Sequence, residues 1–167
     1  MDSSLEQLRR ELKEALGTAS PSDLNQGPEG KWSASQILEH LWLTYSHTNR
    51  GIAKCLQAAK PLASRPTLKN RVQTFAVVTM KYFPSGREAP ERAAPRGKPS
   101  EELLRVIFPE IEQMSSGFAE CERKFGAGTK ILDHPVLGPL TADEWRTVHW
   151  LHGRHHARQI RERLAAS

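Results

Sequence analysis

Cysteine is scarce: the 167-residue chain has two, Cys55 and Cys121, 66 positions apart. No CxxC or zinc-ribbon spacing exists, so neither a disulfide framework nor a thiolate metal site is expected. Both cysteines fall in helical apolar patterns and read as small core residues of a reducing compartment. Long apolar runs are missing too. Nothing approaches the ~20 residues that span a bilayer, and residues 1–30 lack a signal-peptide core. Export and membrane insertion are not expected, which leaves a cytoplasmic location. Blocks of one charge are also absent. Twenty-four Lys+Arg against 19 Asp+Glu give +5, but the signs are interleaved and no nucleic-acid motif accompanies them, so nucleic acid is not an expected partner. Neither cysteine and no serine sits in a recognisable nucleophile context, which argues against Ser/His/Asp and Cys/His chemistry.

Period-two alternation is missing as well, and no convincing strand is expected. The spacing of apolar residues is helical almost throughout. Leu5, Leu8, Leu12 and Leu16 mark a first helix from about Ser4, stopped by Gly17. The polar stretch from Thr18 to Lys31 reads as a connection. Ser33 and Gln36 form a capping-box pattern, opening a second long helix that runs to about Ala59 before Pro61. Asn70 to Phe83 reads as a short helix. Pro84 to Pro99, rich in proline and glycine, is a loop, a flexible connection sooner than a lid. Ser100 to Phe125 is the third long helix, with Pro109 expected to kink it or split off its first turns. Thr141 and Glu144 form another capping box, and the final helix runs to about Leu164. The expectation is an all-α bundle forming one domain over 1–167, of four long helices and one short one.

Four of seven histidines lie between His149 and His156. At 100° per residue, His149, His152 and His156 share an arc of about 60°, and His155 points to a neighbouring face. His152 and His156, at i and i+4, have the spacing of a bidentate half-site for a divalent metal. A third ligand must come from elsewhere, and His40 is the candidate. Counting 1.5 Å per residue, His40 matches the height of the pair to about 5 Å if the second and last helices are antiparallel. His47 shares the edge of His40, and His134 sits in a loop.

The stretch Trp32-Ser33-Ala34-Ser35-Gln36-Ile37-Leu38-Glu39-His40-Leu41 resembles a signature segment of the DinB/YfiT-like metalloenzyme superfamily, as does the stretch from His152 to Ile160. The connection from His134 to Thr141 is similar to one branch of it. The resemblance implies a four-helix bundle of up-down-down-up connectivity, with a long crossover over Lys60 to Pro99. It places metal ligands at His40, His152 and His156, with zinc or nickel as the ion and often a homodimer as the assembly. Thiol-dependent S-transferases and isomerases belong to that superfamily, which implies a low-molecular-weight thiol as a second cofactor.

Three neutral imidazoles leave a tetrahedral ion one open position, where water or a thiolate is activated. The expected function is a metal-dependent transferase or hydrolase acting on a small-molecule substrate. The rival is a non-catalytic metal-binding or dimeric interaction bundle. No carboxylate is placed as a general base: Glu39 points about 100° from His40, and Asp133 lies in a loop. His149, one turn from His152, is the candidate for proton transfer or for support behind the ligands. Trp42, Trp145 and Trp150 read as core or dimer interface, and Arg154 and Arg158 as a solvated face.

Overall fold

Apolar stripes at helical spacing need partners to bury them, and the resulting structure is mostly helical. This computed structural model describes residues 3–81 and 90–166. Helix α1 covers Ser3–Leu16 and buries Leu5, Leu8 and Leu12 completely. A short helix follows, α2 (Pro21–Asn25), in the stretch expected to be only a connection. Its start is local chemistry: Ser20 and Asp23 cap each other reciprocally and Pro21 occupies the first turn. Helix α3 (Ala34–Gln57) begins at the expected box, with the Ser33 hydroxyl accepting from Gln36 N–H and Gln36 reaching back to Ser33 N–H.

The crossover carries α4 (Leu68–Thr74), which passes into a π-helical turn over Phe75–Thr79, and later a 3₁₀ turn over Glu91–Ala93. The helical reading of the segment from Asn70 is borne out to Thr79. Residues 82–89, which include the first part of the expected Pro84–Pro99 loop, lie outside the described residues. Helix α5 (Ser100–Phe125) continues through Pro109, so its first turns are not split off. Pro109 is exposed, so water can take the carbonyl that its missing N–H leaves behind.

A second correction concerns strands. Leu132–His134 (β1) and Gly138–Leu140 (β2) pair antiparallel, with Asp133 opposite Pro139. Three-residue strands are too short to show an alternating pattern, and Gly138, at φ +73°, supplies the backbone the return needs. Helix α6 (Ala142–Ala165) starts at the Thr141/Glu144 box.

Side-chain contacts give the relative directions of the elements that form the site. Ser35 meets Ser100 near the starts of α3 and α5, and Lys124 Nζ donates to the Leu56 carbonyl near their ends. These two helices therefore run the same way. Thr48 meets His149 and His40 meets His156, so α6 runs antiparallel to α3. That is the arrangement the height argument required. Gly153 lets α6 sit close: a Cβ there would meet Leu8 Cδ1 at 2.0 Å and Tyr45 Oη at 2.9 Å. Among the described residues no helix is long and apolar enough to cross a membrane. Cys55 and Cys121 are buried free thiols, the latter pushed up to about 11 chiefly by burial.

Candidate metal centre

Antiparallel α3 and α6 bring one histidine of the first against two of the second. His40 Nε2 lies 3.1 Å from His152 Nε2, and His156 Nε2 lies 3.0 Å from the same atom. The three ligand atoms fall within 4.8 Å of one another, so these three side chains could hold one metal ion. His40 and His156 are buried and His152 is partly exposed.

The outer ring nitrogens decide what the inner ones present. His40 Nδ1 is 2.8 Å from the Ala93 carbonyl, which can only accept, so the proton is on Nδ1 and Nε2 offers a lone pair. His156 Nδ1 donates in the same way to Gln159 Oε1 at 2.7 Å. Two inward nitrogens are thus acceptors, both facing the third. One proton on His152 Nε2 can satisfy only one of them. A cation satisfies all three. At the usual zinc–nitrogen length of about 2.0–2.1 Å, tetrahedral ligands stand about 3.4 Å apart; the two separations from His152, 3.1 and 3.0 Å, are a few tenths of an ångström shorter, and the whole set lies within 4.8 Å.

Electrostatics keeps the lone pairs available. Burial, and then the neighbouring rings of His156 and His40, push His152 well below its ordinary value. Burial lowers His156 to about 3, with the His40 ring adding and the Gln159 bond opposing. Burial lowers His40, against the Ala93 bond. At neutral pH these imidazoles are uncharged, the form that ligates.

The other histidines stand apart from this cluster. His149 is inside the core, with Nε2 3.1 Å from Thr48 Oγ1 and its ring stacked on Trp145. His155 lies beside the His156 ring, partly exposed. His47 Nδ1 donates to the Leu43 carbonyl on its own helix, and His134 accepts from Val136 and Leu137 N–H at the ribbon turn. Trp42 and Trp150 are partly buried against the core and carry cations, Lys98 over the first and Arg154 over the second. Trp145 is buried and donates to the Leu132 carbonyl.

Three participants escaped the sequence. Gln159 sits three residues beyond His156, a spacing that could have flagged it. The Ala93 carbonyl has no side-chain signature. Glu39 was expected to point away from His40, and it does, but into a task of its own: both its oxygens accept main-chain N–H groups of residues 96–98.

One family model matches residues 4–163; its description is a protein of unknown function, DUF1569. No curated protein and no solved structure matches the chain. The match corrects the DinB/YfiT-like resemblance, which it does not support. What the two quoted segments encode, a capped helix with one histidine and an i,i+4 pair on another, suits a helical three-histidine site of any family.

Proposed function

The chain belongs to the DUF1569 family, and on that premise we propose that it is a metal-dependent enzyme whose ion is held by His40, His152 and His156. The observation that carries the reading is the convergence of three Nε2 atoms, two of them fixed as acceptors by partners behind the rings. An all-imidazole donor set suits a transition metal such as zinc or nickel over calcium or magnesium. Three protein ligands are the pattern of a site that keeps a position for chemistry, where structural zinc sites use four. Bound there, the ion would supply a nucleophile at neutral pH, derived from water or from a low-molecular-weight thiol. The reaction class is transfer or hydrolysis on a small molecule.

The chain's own residues orient this centre. Ala93 and Gln159 hold two ligand rings in one tautomer. His149 supports α6 against α3 through Thr48, outside the ligand set. The finer topology we propose for the four long helices is up-down-down-up, with the crossover joining the parallel pair α3 and α5.

Elemental analysis of untagged protein tests the metal first. Close to one transition-metal ion per chain, lost in His152→Ala, is the expected result; a metal-free wild type that also fails to take up added zinc or nickel sinks the reading. Turnover screens with and without added thiols then separate transferase from hydrolase. A metal-loaded protein inactive in both would point to a binding bundle.

A further inference from the structure

Two consecutive residues of α3 hold the two ends of one stretch of backbone. His40 donates Nδ1–H to the carbonyl of Ala93, where the 3₁₀ turn ends. Glu39 is 3% exposed and takes the far end: Oε1 accepts from Arg96 N–H at 3.0 Å, and Oε2 accepts from Gly97 and Lys98 N–H at 2.9 and 3.1 Å. A buried carboxylate needs such donors in place of water, and three main-chain amides supply them. Gly97, at φ +90°, has the backbone that lets successive amides turn towards one acceptor. With both oxygens engaged, Glu39 is neither a ligand nor a free base.

We infer that Glu39 is a positioning residue for the metal centre: by anchoring residues 96–98 it sets the Ala93 carbonyl, which fixes the tautomer and ring orientation of His40. The inference rests on the reading that the three histidines hold a metal. The route is short. Three residues separate Ala93 from Gly97, so a shift of the anchored end moves the carbonyl that His40 relies on. Coupling of this kind is reciprocal: whatever the anchor does for metal affinity, bound metal does for the anchor.

The test uses full-length untagged protein and cobalt(II), whose visible absorption reports its coordination. Glu39→Gln replaces one accepting oxygen by an NH₂ group that faces N–H donors. Glu110→Gln is the control, since Glu110 also accepts from α3, through Ser46 and Asn49, away from the ligands. Expected is about a tenfold loss of cobalt affinity in Glu39→Gln, the low end for a group behind a ligand, with Glu110→Gln unchanged. In metal-free protein, ¹⁵N–¹H correlation of the imidazoles should show His40 as the Nδ1–H tautomer, and a mixed population in Glu39→Gln. Cobalt should also slow amide exchange at residues 96–98 of the wild type. If Glu39→Gln fails to fold by circular dichroism, Glu39→Asp, one methylene shorter, is measured in its place. Unchanged affinity and tautomer in the Glu39 variant overturn the inference and leave the metal reading standing. An equal loss in Glu110→Gln overturns it too, because the effect is then general destabilisation. A wild type that binds no cobalt overturns both.

Discussion

His149 and His152 stand three residues apart on α6, on nearly the same face, and meet different fates. His149 is 1% exposed, stacked on Trp145 and edge-on to Tyr45, and its Nε2 meets the Thr48 hydroxyl. Its Nδ1, like the Tyr45 hydroxyl, has no hydrogen-bond partner among the described residues. His152 instead turns Nε2 towards two further imidazoles. Their own helix treats the two alike. The difference is made eight residues apart on α3, which presents Thr48 to one and His40 to the other. An imidazole becomes a candidate ligand through what faces it.

The largest effect should come from removing the facing partner. His40→Ala should lower affinity for zinc at least about 100-fold, more than the loss expected from a group behind a ligand, in a competition titration against a chelator. His149→Ala should stay within about twofold of the wild type. Comparable losses in the two variants would erase the distinction between the two histidines.

Acid should act next, through His149. Burial, with His134 adding, holds His149 down to about 3, and burial with Arg92 holds His134 down to about 4. The unfolded chain protonates both near 6.5. Between those values the unfolded state binds more protons. Stability is therefore full above pH 6.5 and falls on acidification, by about 1.4 kcal/mol per pH unit for each such group. Urea unfolding of metal-free protein at pH 7, 6 and 5 reads the slope. His149→Phe should flatten it by one group, and an unchanged slope would mean that this ring is not held neutral.

As a core side chain, His149 truncated to alanine should cost about 2–3 kcal/mol of unfolding free energy with metal content intact. Gly153→Ala tests the close approach beneath the ligands. Its Cβ would collide with Leu8, and overpacking of about 1–3 kcal/mol should exceed the ~1 kcal/mol gained in helix propensity, measured by urea unfolding. The smallest effect belongs to His155→Ala, expected within about 0.5 kcal/mol and with full metal content.

Side-chain chemistry made the helices and the ligand set legible. Reciprocal caps at Ser33 and Thr141 mark two starts, and an i,i+4 histidine pair with a third histidine at matching height marks the centre. What stayed hidden is written in backbone. The Ala93 carbonyl behind His40 and the amides on Glu39 belong to a stretch that, from its prolines, glycines and alanines, reads as an idle loop. Asp133, unplaced from the sequence, accepts from Ser64 across the crossover. Only tertiary structure joins positions so far apart in the chain.

That His40 and His152 lie 112 residues apart has a kinetic consequence. The His152–His156 half of the centre is local and forms with a single helical turn. The other half waits for closure of a loop that long, an entropic barrier of the kind that slows folding. An ion can grip all three only after that closure, so it acts late on the folding route. Metal should therefore leave the refolding rate nearly unchanged and lengthen the lifetime of the native state, its stabilisation falling on the unfolding limb.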